Sequence, residues 1–116
     1  GSGGAFQFSS SNEMWRATLD ILDFIPLSDV DYGGGIVITD WYKSPQNQSE
    51  SIKIMVRFLT NEIRADGIKV NVYKKKCRTE ANCESFVSDS DLNGEIKLAI
   101  LKKAALIKKA DLEKKN

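Results

Sequence analysis

Apolar side chains recur every three to four residues from Met14 to Ile25 and again from Leu92 to Leu112, whereas between Ile36 and Val72 they run together or alternate. The pattern predicts helix, strands, then helix. At about 100° per residue, Met14, Trp15, Thr18, Leu19, Ile21, Leu22 and Ile25 share one broad face of the first helix, with Arg16, Asp20 and Asp23 opposite. This helix is expected to lie on a core. Trp15 sits mid-stripe and reads as a packing residue rather than a ligand-stacking one. A start between Ser10 and Asn12 is expected, with Glu13 three residues after Ser10 as a capping box requires. The helix should end before Pro26, whose ring disfavours a helical residue 25.

The stretch Ile36 to Lys43 is nearly continuously apolar until Asp40 and predicts a central strand. The next strand alternates, with Ile52, Ile54, Val56 and Phe58 on one side and Lys53, Met55 and Arg57 on the other. After the turn Ala65-Asp66-Gly67 the third puts Ile68, Val70 and Val72 opposite Lys69, Asn71 and Tyr73. One sheet face is thus core and the other largely wet. Asn61 to Arg64 either prolongs the second strand, the preferred reading, or makes a short helical turn, and Ser85 to Val87 is read as a short fourth strand. Leu27 to Gly35 is read as a loop. Its triplet Gly33-Gly34-Gly35 leads into a strand, not the helix that a phosphate-cradling loop requires, and Asp29 and Asp31 lack the remaining oxygen ligands of a calcium loop. A bulge, or the close crossing of another segment, is the expected use of the glycines.

The last helix should start at a second capping box, Ser88 to Asp91, or a residue or two later, and run toward Leu112. Its wheel carries two apolar stripes. Leu92, Ile96, Ala99, Ile100, Leu106, Ile107 and Ala110 form one; Leu98, Leu101, Ala105 and Leu112 form the other, with lysines between. Such a helix is either wedged between two layers or packed on the sheet while offering its outer stripe to a partner protein or an anionic membrane. Lys102, Lys103, Lys108, Lys109, Lys114 and Lys115 would attract the latter.

With 116 residues, 41% of them hydrophobic, the chain suits one domain with one core. Residues 1–11, opening Gly1-Ser2, read as a tag remnant and flexible leader, 12–113 as the domain, and 114–116 as a frayed tail. No stretch approaches the roughly 18 apolar residues of a membrane span, so a soluble domain is expected. The formal charge of +1 conceals about −3 over residues 1–73 and about +4 over 74–116. Histidine is absent, the carboxylates of Asp40, Glu62 and Asp66 are scattered, and a serine nucleophile would lack a base. No enzyme and no catalytic residue are therefore expected. Lys74-Lys75-Lys76-Cys77-Arg78, beside Tyr73, is a basic run, but the near-neutral chain argues against nucleic-acid binding. Cys77 and Cys83, spaced C-x5-C, suit neither a zinc site nor a redox pair. They are a disulfide or two free thiols, the disulfide being favoured if the chain is exported.

Met14-Trp15-Arg16-Ala17-Thr18-Leu19-Asp20 with Phe24-Ile25-Pro26-Leu27, then Gly34 to Tyr42, then Ile63 to Val70, resemble a family of uncharacterised proteobacterial envelope proteins catalogued as a domain of unknown function. The likeness covers roughly residues 13–73 and, more loosely, the final helix. It implies a periplasmic or outer-membrane-anchored location, since family members commonly resemble exported lipoproteins, and it implies no activity. The lysine-rich tail and the Cys77 to Cys83 loop depart from the pattern and inherit no role. A weaker likeness, of architecture alone, is to the helix-grip domains of a lipoprotein of the outer-membrane barrel-assembly machinery.

The expected fold is a two-layer α+β sandwich: an antiparallel sheet of three to four strands, with the N-terminal helix and the long C-terminal helix on one face. The expected function is a noncatalytic envelope module, monomeric in isolation, that binds or scaffolds another envelope protein or a membrane surface without cofactor, metal or nucleic acid. Its contact surface would be the strand face around Trp41, Tyr42 and Tyr73, or the outer stripe Leu98, Leu101, Ala105 and Leu112. The alternative is a small-molecule carrier with an apolar cavity between the long helix and the sheet.

Overall fold

The computed structural model describes residues 12–43, 45–46, 48–88 and 91–114. The leader and the Ser10 and Asp89-Ser90 parts of the two capping boxes lie outside them. Helix α1 spans Glu13–Ile21, and its first turn is closed by Asn12, whose Oδ1 accepts the Met14 N–H at 2.7 Å. Leu22 then ends the helix by donating its N–H to the Thr18 carbonyl.

The sheet is larger than the sequence suggests. Six strands, β1 (Leu27–Asp31), β2 (Ile36–Thr39), β3 (Tyr42–Lys43), β4 (Glu50–Phe58), β5 (Ile68–Thr79) and β6 (Asn82–Val87), make one antiparallel sheet in the order β1-β2-β4-β5-β6, with β3 also on β4. The expected loop Leu27 to Gly35 is therefore a hairpin. Strand β1 forms an edge with four of its five residues exposed, so it shows none of the apolar alternation that marks a half-buried strand. Its turn is tightened by Asp31 Oδ1, which accepts the Gly34 N–H at 3.0 Å, and by Gly35 at φ 68°, a left-handed angle that glycine adopts without penalty. The single strand expected over Ile36 to Lys43 is split at Asp40-Trp41, where the Asp40 N–H turns to the Pro26 carbonyl. Asn61 to Arg64 leaves the sheet and enters a 3₁₀ turn, Ala65–Gly67.

Strands β4 and β5 pair without interruption from Glu50↔Lys76 to Phe58↔Ile68. Their alternation sends Ile54, Val56, Phe58, Ile68, Val70 and Val72 to one face, where all are buried with Met14, Trp15 and Ala17 of α1. Helix α2 spans Leu92–Lys114 and adds Ile96, Ile100 and Ala104. It packs on β5 and on α1, while Trp15 meets Phe58 with ring centres 5.7 Å apart, so both helices cover one sheet face. Each aliphatic side chain fully buried there contributes about 1.5–3 kcal/mol. Among the described residues no helix covers the other sheet face.

Candidate functional site

Among the described residues this packing leaves the outer side of α2 and the open sheet face uncovered. Ile96, Ile100 and Ala104 turn inward, and Leu98, Ala105 and Leu112, one heptad apart, stand exposed on the opposite side. Two leucines differ from the two-stripe reading. Leu101 is half-buried against the core, whereas Leu106, assigned to the inner stripe, is 64% exposed. Both lie on the flanks of the helix, where its rotation against β5 decides which is covered. Lys103 reaches Asp20 of α1 at 3.2 Å and Arg16 reaches Asp111 at 2.7 Å, so charges near the α1 contact are paired. Among the described residues Lys102, Lys108 and Lys109 make no ion pair.

The second surface is the open sheet face. Trp41 and Tyr73 meet it, but Tyr42 does not. Tyr42 pairs with Ile52 and packs on the core side, edge-on to Phe24 with ring centres 5.4 Å apart. Neighbouring residues of extended chain point to opposite faces, which separates Trp41 from Tyr42. The partners of Trp41 are instead two lysines that sequence reasoning passed over. The ammonium groups of Lys53 and Lys75 lie 5.1 and 4.5 Å from its ring centre. Tyr73 is opposite Lys53 on one side and Val87 on the other, and is half-buried between them. The alternation of β4 already placed Lys53 on this face; the pairing that brings Lys75 beside it is a matter of register.

Cys77 and Cys83 are bonded, directly opposite one another across β5 and β6. The basic run before them is divided by the pleat. Lys74 and Lys76, on the helix side, share Glu50 at 3.6 Å each, whereas Lys75 points to the open face.

The groups with displaced acidity are surface pairs. Hydrogen bonds to Asp66 and Glu62 raise the Arg64 guanidinium, and the Arg64 hydrogen bond holds the Asp66 carboxyl below its ordinary value. The hydrogen bond to Asp111 likewise raises Arg16. Each of these side chains is well exposed, where an ion pair contributes about 0–1 kcal/mol and marks no cleft. Among the described residues no three His, Cys, Asp or Glu side chains are grouped to hold a metal ion. No helix among them is long and apolar enough to cross a membrane.

Comparison with known proteins agrees with the resemblance to an uncharacterised proteobacterial family and adds neither an envelope location nor an activity. An uncharacterized protein of Rickettsia prowazekii (strain Madrid E) is 37% identical over 62 residues, which make up 53% of this chain and 37% of that relative. The chain thus spans well under half the length of the curated relative it matches. No solved structure matches it. Residues 8–109, which include α1, the whole sheet and α2 as far as Lys109, match the domain of unknown function DUF3576, and the chain belongs to that family.

Proposed function

We propose that this domain is a noncatalytic binding module of the bacterial cell envelope, and that it rests on an anionic membrane surface through the outer side of α2. One observation carries the reading. Leu98, Ala105 and Leu112 stand in a line, with Leu101 beside them; on the helical wheel Lys108 borders the line on one side and Lys102 and Lys109 on the other. An apolar line of this kind loses water at the boundary between lipid headgroups and acyl chains, while lysines reach up to the phosphates on their flexible stems. Each lysine near an anionic surface adds about 1 kcal/mol. A protein partner on the same line would have to meet Lys102 and Lys109 with carboxylates of its own.

The envelope location is supported by the Cys77–Cys83 bond, which persists in oxidising compartments, and by the family resemblance. The noncatalytic reading is supported by the absence of histidine from the chain and by the exposed ion pairs that account for the displaced acid groups. A carrier gains no support, because the layer between α2 and the sheet is filled by Ile96, Ile100, Ala104, Val70 and Val72, all buried.

Co-sedimentation with vesicles tests the reading. The protein is expected to pellet with phosphatidylcholine vesicles containing phosphatidylglycerol, to remain in solution with phosphatidylcholine alone, and to be released by salt. Leu98→Glu with Leu112→Glu, both exposed positions, should abolish pelleting and leave the circular dichroism unchanged. No pelleting with either lipid, or self-association through this face in analytical ultracentrifugation, would overturn it.

A further inference from the structure

We infer that a groove on the open sheet face, beside Trp41, binds an acidic saccharide: a sugar ring carrying a phosphate or carboxylate group. The site is separate from the outer side of α2 and does not depend on membrane binding. The groove has a volume of about 520 Å³ and is lined by Trp41, Lys43, Ser51, Lys75, Arg78 and Glu80, among others. Sites for small molecules fall in this range of size.

Charge decides the class of ligand. Lys43, Lys75 and Arg78 line the groove and Lys53 lies against the Trp41 ring, four cations facing the single carboxylate of Glu80. Among the described residues none of these four cations is in an ion pair. Lys74 and Lys76, on the helix side of the same strand, are both neutralised by Glu50. Strand β5 thus leaves its uncompensated charge on the groove side. A surplus of positive charge fixed beside low-dielectric walls concentrates anions there.

Arg78 reaches the groove through a break in the ladder. Cys77 pairs with Cys83 and Thr79 with Asn82, which leaves Arg78 as the extra residue of a β-bulge. A bulge redirects the side chain it carries, and here the Cys77–Cys83 bond ties the strands together at its base. Arg78 lines this groove and the neighbouring hollow beside Glu84, and a guanidinium in the wall can hold a carboxylate or phosphate with two parallel hydrogen bonds.

Trp41 supplies the remaining element. Its indole is half-buried, and the ammonium groups of Lys53 and Lys75 are held against the ring at 5.1 and 4.5 Å. Where these two ammonium groups leave the half-buried indole uncovered, the C–H face of a sugar ring can pack on it with an acidic substituent turned toward them. Ser51 adds a hydroxyl at the wall for a ring hydroxyl. A nucleic-acid strand would call for successive aromatic platforms; the other open-face aromatic, Tyr73, does not line this groove.

The test is a two-dimensional ¹⁵N–¹H NMR titration of the whole protein with glucose 6-phosphate, glucuronate, glucose, inorganic phosphate and a short oligothymidylate. The expected result is a saturable shift of the Trp41 indole and of the Lys75 and Arg78 amides with at least one of the two sugar acids, while the indole of buried Trp15 stays in place. Glucose and inorganic phosphate should each bind at least about tenfold more weakly, since each lacks one half of the recognition. Lys75→Gln and Arg78→Gln should each weaken the sugar acid about tenfold with the rest of the spectrum retained. Absence of a shift with both sugar acids overturns the inference. So do equal affinity for inorganic phosphate, a response to the oligonucleotide alone, or indifference to both substitutions. Should a variant fail to fold, the ligand series on the unaltered protein decides.

Discussion

The backbone N–H of Ile54 donates to the hydroxyl of Thr39 at 2.9 Å inside the core, and that hydroxyl donates in turn to the Asp40 carbonyl at 2.9 Å. The bond sits where the ladder on β4 is broken. Ile38 still pairs with Met55, and pairing resumes only at Tyr42 with Ile52. The Thr39 side chain thus replaces a missing backbone acceptor and lets the chain leave the sheet at Asp40-Trp41 without stranding a buried amide. Thr39→Val keeps the shape and removes the oxygen, which should cost about 1–3 kcal/mol in urea unfolding. Thr39→Ser should restore most of it, and an unaltered Val variant would show that the amide finds another partner.

Two glycines should respond in opposite senses to alanine. At Gly94, in α2, an added methyl meets nothing within 4 Å, and the gain in helix propensity should raise stability by about 1 kcal/mol. At Gly67, which ends the 3₁₀ turn, the methyl would run into the Thr60 side chain and press on Arg64 and the Glu62 carbonyl at 3.2 and 3.3 Å. Gly67→Ala should therefore cost about 1–3 kcal/mol. Paired denaturation curves check both signs.

The disulfide closes a hairpin whose second strand, β6, is exposed at every residue. On the chain-entropy relation so short a loop contributes about 2 kcal/mol, and it acts on a segment with little core beneath it. The double variant Cys77→Ala, Cys83→Ala should accordingly lose hydrogen-exchange protection around residues 77–85, while Ile54, Val56 and Val72 keep theirs. Uniform loss of protection across the sheet would mean that the hairpin tip and the core unfold as one unit.

Asp66 should titrate below the ordinary carboxylate range, because Arg64 donates to both of its oxygens, at 2.6 and 2.7 Å. A folded-state pKa below the unfolded one favours the fold fully above the unfolded value, and this contribution disappears as pH falls through the lowered folded value. The effect on overall stability is small at so exposed a pair, so the side-chain ¹³C titration is the proper readout. Arg64→Ala should return the Asp66 midpoint to the ordinary range, and an unmoved midpoint would remove Arg64 as the cause.

The hydrophobic pattern by itself determined the two helices, the alternation of β4 and β5, and the choice of which sheet face meets the helices. Each follows from a local period that burial on one side enforces: Ile52, Ile54, Val56 and Phe58 could not be anything but one face of a strand. What only the tertiary structure decided lies where burial is weak or comes from distant chain. Strand β1 is made of edge hydrogen bonds rather than buried side chains, so Leu27–Asp31 carried no period to read. The break after Thr39 depends on a bond to Ile54, fifteen residues on. Whether Leu101 or Leu106 is covered depends on how α2 rolls against β5 and α1, and both residues satisfy the same wheel. For the candidate sites the division is the same. The lysines were visible in the chain, but the β4–β5 register brought Lys53 and Lys75 to one indole, and the bulge placed Arg78 in the wall of the groove.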